Sequence, residues 1–310
     1  MLAALRGGDR GALARAITLV ESERDDDRDR AIELLERAHE HTGGSIRVGV
    51  SGPPGAGKSS FIEALGSRLA DSGMRVAVLA VDPSSPISGG SILGDKTRMV
   101  RLSRHERAFV RPSPTGGTLG GVAAKTREAL LLCEAAGYEV VFVETVGVGQ
   151  SELVVADMVD VTLALIVGGS GDELQGIKRG LLEVVDVVGV HKADGDRLEL
   201  AKRARADYRS ALRLMRGKEI PVVMCSSVEG TGLDEVWDAV RAERDARDLD
   251  AHRRDQAQRW MWRIVEVELH WALRKDAQVA ARLVGVRAAI DDGSMSASAA
   301  ARELVKTFLG

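Results

Sequence analysis

Residues 52–59 read Gly-Pro-Pro-Gly-Ala-Gly-Lys-Ser and fill every fixed position of the pattern GxxxxGK(S/T). An apolar, β-branched run at 46–50 precedes them, and a stretch with helical character at 60–70 follows. Strand, glycine-rich loop and helix in this order constrain the chain more than any other feature. Glycines let successive backbone N–H groups wrap a phosphate, and the helix N-terminus adds partial positive charge. Gly52, Pro53, Pro54, Gly55, Ala56 and Gly57 are the expected cradle, with Ser60 in the first helical turn behind it. Lys58 is expected to reach the β- and γ-phosphates, and Ser59 to offer its hydroxyl to Mg²⁺.

Five further apolar runs lie at 76–81, 140–143, 161–167, 184–190 and 220–224. Most are continuous rather than alternating, the pattern of strands covered by helices on both faces. The expected fold class is therefore α/β, a doubly wound and mostly parallel sheet over residues 45–240. Residues 1–44 read as an N-terminal helical extension of two amphipathic helices. The first places Leu13, Ile17 and Val20 on one face. The second places Ile32, Leu35 and Ala38 together, behind the acidic run Asp25–Asp27. Residues 241–310 read as a C-terminal helical arm. Residues 233–284 contain neither Gly nor Pro and predict a long helix. Within it Trp260, Ile264, Val267 and Trp271 form one helical stripe, expected at a subunit interface. A last helix is expected from Ser294 or Ser296, burying Leu304, Val305 and Phe308.

Composition excludes several function classes. Of 310 residues, 45% are hydrophobic and 29% charged, which suits a folded globular chain. A net charge of −3 gives no overall grip on nucleic acid. Two cysteines, Cys133 and Cys225, are too few for a disulfide framework and lie in no Cys/His cluster. Six histidines include no HExxH pair. With neither a signal peptide nor a membrane-length apolar stretch, a cytoplasmic, membrane-free protein is expected.

Mg²⁺ takes hard oxygen ligands, so carboxylates are expected at neighbouring strand ends. Asp82 follows the run at 76–81, and Glu144 follows the run at 140–143. Glu144-Thr145-Val146-Gly147 is an acid with a glycine three residues on, and Gly147 is placed to offer its N–H to a γ-phosphate. Asp95 lies in a glycine-rich segment that reads either as a nucleotide-sensing switch or as a solvated loop. After 184–190 comes His191-Lys192-Ala193-Asp194, where GTP-binding proteins carry Asn-Lys-x-Asp. Asp194 accepts from the guanine N1–H and amino group, which adenine does not offer, and so rejects the wrong base by about 10⁴-fold. The Lys192 stem lies along the base, and a neutral His191 imidazole can donate to N7. Ser226, Ser227 and Val228 follow the last strand, where a backbone amide meets guanine O6.

These motifs, in this order, resemble the MeaB/ArgK family, the methylmalonyl-CoA mutase-associated GTPases. The resemblance is carried by residues 50–59, by Val81-Asp82-Pro83-Ser84-Ser85 and by residues 89–99. It is carried further by Glu144-Thr145-Val146-Gly147-Val148-Gly149-Gln150-Ser151-Glu152 and by residues 168–178. It runs through nearly the whole chain; the departure is His191. It implies a SIMIBI-class P-loop GTPase, a homodimer held partly by C-terminal helices. It also implies a chaperone of an adenosylcobalamin-dependent acyl-CoA mutase, in which GTP hydrolysis gates B12 loading and protects the mutase. The implied Mg²⁺ and catalytic carboxylates are Asp82, Asp95 and Glu144 beside Ser59, and residues 168–178 are the implied switch toward the mutase. Asp82 is the expected water-orienting residue, Glu144 acts through the metal's outer shell, and Gln150 is a further candidate. The rival readings are a metal-insertion GTPase, which needs a Cys/His cluster, and a nucleotide-dependent small-molecule kinase.

Overall fold

A computed structural model describes residues 1–22, 24–81, 99–111, 119–145, 151–169 and 179–310. Among these residues seven strands form one sheet: β1 (Ile46–Ser51), β2 (Val76–Val81), β3 (Ala108–Arg111), β4 (Val140–Thr145), β5 (Val161–Val167), β6 (Val187–His191) and β7 (Val222–Met224). The order is β3-β2-β4-β1-β5-β6-β7, and every pairing is parallel. The strand ahead of the glycine loop therefore sits in the middle. The chain builds one half of the sheet through β4 and the other from β5 onward. Such a reversal opens a crevice at the carboxyl ends of the strands, where open α/β sheets bind ligands.

Thirteen described helices accompany the sheet. They are α1 (Leu2–Arg6), α2 (Arg10–Glu21), α3 (Asp25–His39), α4 (Lys58–Asp71), α5 (Val100–Arg104), α6 (Leu119–Ala135) and α7 (Ser151–Ala156), then α8 (Arg179–Val184) and α9 (Leu198–Arg216). The last four are α10 (Leu233–Asp245), α11 (Leu249–Lys275), α12 (Ala277–Asp291) and α13 (Ala297–Leu309). None is long and apolar enough to cross a membrane. Val48, Val50, Phe142 and Leu163 pack with Phe61, Ile62 and Leu65 of α4 and with Val236 and Val240 of α10. Ile166, Val188 and Val190 pack with Ala201, Ala204 and Tyr208 of α9. Both clusters exclude water from continuous apolar strands, which is why these strands show no polar alternation.

Several expectations change at the level of elements. The N-terminal segment holds three helices, not two, and α2 and α3 pack on α6. In α3 the buried face is Ala31, Leu34 and Ala38, while Ile32 is exposed and Leu35 half-buried. Strand β3 was not expected. It is a four-residue edge strand paired only with β2, and its apolar content is too small to stand out. The run at 184–190 is split, because Val184 ends α8 and β6 starts at Val187. A continuous apolar run cannot separate a helix end from a strand start. The expected long helix is three helices. Asp248 and Asp276 each accept backbone N–H bonds from residues just beyond and so restart the helix. In α13 the cap is Ser296. Leu304 and Phe308 are half-buried, Val305 is exposed, and Ala300 is the buried residue.

The chain divides into two compact units, 1–256 and 257–310. In the first, the edge of the sheet opposite the glycine loop is held by buried charge. Asp160 Oδ2 accepts from Arg47 N at 2.9 Å and from Arg253 Nη2 at 2.7 Å. Glu134 accepts from Arg47 Nε at 2.8 Å, Arg47 Nη2 at 2.7 Å and the Ser45 hydroxyl at 2.5 Å. Asp186 accepts from Thr162 N at 2.9 Å and Arg247 Nη2 at 2.7 Å. Asp160 and Asp186 thereby satisfy strand-start N–H groups, while Glu134 pairs the Arg47 guanidinium. In the second unit α12 packs on α13, with Val279 and Val286 buried.

Candidate nucleotide site

β1 ends at Ser51, the loop occupies 52–57, and α4 starts at Lys58. Gly52 has φ 144°, and a Cβ there would lie 2.1 Å from the Leu165 carbonyl oxygen, so no other residue fits. Lys58 is buried and its Nζ donates to the Gly52 oxygen at 2.8 Å and the Pro53 oxygen at 3.3 Å. The ammonium is thereby held across the loop that the motif assigns to phosphate. Pro54, Gly55 and Ser60 are exposed, and Ala56 is buried.

The Ser59 hydroxyl donates to Glu144 Oε1 at 2.7 Å, joining the first turn of α4 to the end of β4. Behind this pair the Thr145 hydroxyl donates to Ser51 Oγ at 3.0 Å. Sequence reasoning did not single out Thr145, although it directly follows Glu144. A hydroxyl and a carboxylate side by side at a helix N-terminus are the hard oxygen donors that suit Mg²⁺. Both cysteines are buried, and burial pushes Cys225 up to about 12 and Cys133 higher still. Asp82, Asp95, Gly147 and Gln150 lie outside the described residues, as do 170–178. β2 ends at Val81, with Ala80 level with Glu144 and Val81 level with Thr145.

The base motif lies at the end of β6 on the same sheet edge. His191 is buried. Its Nδ1 bonds the Ala56 carbonyl oxygen at 2.7 Å, and its Nε2 bonds the Ser227 hydroxyl at 2.7 Å. Burial holds this imidazole below the ordinary histidine value, and the neighbouring Lys192 charge lowers it further, so the ring is neutral at neutral pH. Lys192 has φ 58°, a left-handed conformation strained for a side chain of its size, and its Nζ donates to the Gly55 oxygen at 2.9 Å. Asp194 is half-buried and accepts from the Ser226 hydroxyl. The same hydroxyl oxygen accepts from Val228 N and Glu229 N, both at 3.2 Å. The Val228 side chain is 91% exposed. The structure thus brings together 52–60, Glu144, His191, Lys192, Asp194 and 226–228 on one edge. Its parts are a glycine-rich loop ahead of a helix N-terminus, a hydroxyl–carboxylate pair, and a carboxylate that shares a serine hydroxyl with two backbone amides.

The sequence profile of the family described as "Methylmalonyl Co-A mutase-associated GTPase MeaB" matches residues 13–278. A Caulobacter vibrioides protein called "Putative GTPase" is 52% identical, over 98% of this chain and 95% of its own length. The mouse "Methylmalonic aciduria type A homolog, mitochondrial" is 44% identical, over 97% of this chain and 77% of its own length. Among solved structures, a "LAO/AO transport system kinase" superposes with a TM-score of 0.74 at 36% identity, covering 100% of this chain and 96% of that one. With a filled phosphate loop and a base motif on one sheet edge, the chain is a P-loop GTPase and belongs to the methylmalonyl-CoA mutase-associated GTPase MeaB family.

Proposed function

We propose that this GTPase serves as a chaperone of an adenosylcobalamin-dependent acyl-CoA mutase, methylmalonyl-CoA mutase or a relative. GTP binding and hydrolysis gate loading of the B12 cofactor and protect or reactivate the client. One observation carries the reading: a mutase-associated GTPase family spans residues 13–278. The phosphate loop and base loop supply the nucleotide chemistry. Lys58 and the loop amides hold the charge on the β- and γ-phosphates, and Asp194 accepts from guanine. Ser59 and Glu144 would hold Mg²⁺, with Asp82 and Asp95 as further ligands; the ion, when bound, neutralises charge on the β- and γ-phosphates. Asp82 orients the attacking water, with Gln150 as a second candidate for that role. Residues 168–178 carry the nucleotide state to the client, and the protein works as a homodimer.

The test is the GTPase rate with and without the host's own B12-dependent mutase. Stimulation is expected for the unmodified protein and lost in Asp172→Ala or Lys178→Ala, with intrinsic hydrolysis retained. No stimulation by any B12-dependent mutase of the host would overturn the chaperone reading while leaving the GTPase intact.

A further inference from the structure

We propose that His191 is a positioning residue that ties the base loop to the phosphate loop, and that this GTPase therefore holds guanine without reading N7. The inference rests on the assignment of Asp194 and its neighbours to the base.

Hydrogen-bond bookkeeping around the ring comes first. The Ala56 carbonyl oxygen is only an acceptor, so Nδ1, at 2.7 Å from it, must carry the proton. In the neutral ring Nε2 is then a lone pair, and it accepts from the Ser227 hydroxyl at 2.7 Å. An imidazole in this tautomer has no N–H left for another acceptor. Guanine N7 is an acceptor, so the ring has nothing to give it.

Packing prevents the ring from turning to find another arrangement. A Cβ placed on Gly57 would lie 2.6 Å from both Cε1 and Nδ1, so the phosphate-loop backbone is in contact with the ring. The Phe61 ring meets the imidazole edge-on, with centroids 6.1 Å apart and planes at 86°. Turning the ring would break two hydrogen bonds at a position only 2% exposed.

The same contacts describe what the side chain does instead. Ala56 belongs to the phosphate loop. Ser227 follows Ser226, whose hydroxyl bonds Asp194 and gathers the Val228 and Glu229 amides. One imidazole therefore spans both loops, and Lys192 adds a parallel tie to Gly55. Base choice is left to the Asp194 carboxylate and to the amides after Ser226.

Calorimetry with GDP and with 7-deaza-GDP, in which a C–H replaces N7, tests this on the full chain. The unmodified protein is expected to bind both within about twofold, since no protein donor is lost. A fivefold or larger preference for GDP would show that N7 is read and would overturn the proposal. In His191→Ala both ligands are expected to weaken by about tenfold together, because two loop-to-loop hydrogen bonds go while the N7 ratio stays near one. Unchanged GDP affinity in His191→Ala would overturn the positioning role. Failure of the unmodified protein to bind either ligand would instead overturn the base-site assignment beneath it.

Discussion

Lys58, proposed above to hold phosphate, is the residue at which that role can be separated from packing. It is buried, and its ammonium donates to backbone oxygens of its own loop, Gly52 and Pro53. Replacing it by alanine removes the charge proposed to meet phosphate and takes no atom out of the apolar clusters. Lys58→Ala is expected to weaken GTP binding by about 10²-fold or more, the loss of charge-assisted hydrogen bonds of roughly 1.5–3 kcal/mol each. Calorimetry reads the affinity, and a thermal melt within a few degrees of the parent shows that the fold persists. Asp194 is the complementary case, at the proposed base site. Asp194→Asn removes an acceptor for guanine N1–H and supplies a group that suits xanthine. GTP affinity is expected to fall by about 10²-fold and XTP affinity to rise, measured as competition between the two. An unchanged order of GTP, XTP and ATP would remove Asp194 from the base site.

At the scale of elements, the two edges of the sheet do different work. The carboxyl ends carry loops, and the opposite edge is closed by the Arg47–Glu134 and Arg253–Asp160 pairs, whose carboxylates are excluded from water. Burial by itself pushes the Glu134 carboxyl up, but bonds from Arg47, Ser45 and Gly43 outweigh it and hold the group below the ordinary 4.5. A carboxylate with a lowered folded value stabilises the fold fully above its unfolded value and loses that contribution as pH falls through the folded one. Glu134→Ala leaves the Arg47 guanidinium buried without its partner, and a loss of about 3–5 kcal/mol is expected in urea unfolding at neutral pH. Glu134→Gln should flatten the part of the acid stability curve that lies below about pH 4.5. An acid limb identical to the parent's would mean that other carboxylates control it.

At the scale of the molecule, the second unit presents apolar surface that one chain leaves uncovered. The sequence stripe begins at Trp260, which is buried within its own chain beneath Arg263, while Ile264, Val267 and Trp271 are half-buried. The exposed apolar residues of α11 lie elsewhere on the helix, with Trp262 65% and Leu269 56% exposed. Spacing alone selects the residues that repeat; it does not say which face of a long helix its own chain covers. As part of the proposed homodimer, Trp262→Glu is expected to shift the protein from dimer to monomer in sedimentation, with intrinsic GTP hydrolysis retained. Trp260→Glu is expected to destabilise the chain itself, because it buries an unpaired charge. A parent protein that sediments as a monomer would remove the dimer.

The sequence by itself determined the phosphate loop, the sheet class and the family, because each rests on local signals. Glycines at fixed spacing, β-branched runs bounded by turns, and short acid motifs report their roles within about ten residues. Tertiary structure decided what depends on distant partners. β3 is a strand because β2 offers it an edge. The helices after Asp248 and Asp276 restart at carboxylate caps that a Gly/Pro count does not register. Ile32 gives way to Leu34 on the buried face of α3, and the packing of α2 and α3 on α6 lies outside any one helix's periodicity. His191 is the sharpest instance. Its place in the motif was legible, but its hydrogen-bond partners are an oxygen 135 residues earlier and a hydroxyl 36 residues later. Hydrogen-bond valence is satisfied in space, so only the folded chain could decide what that imidazole has left to offer.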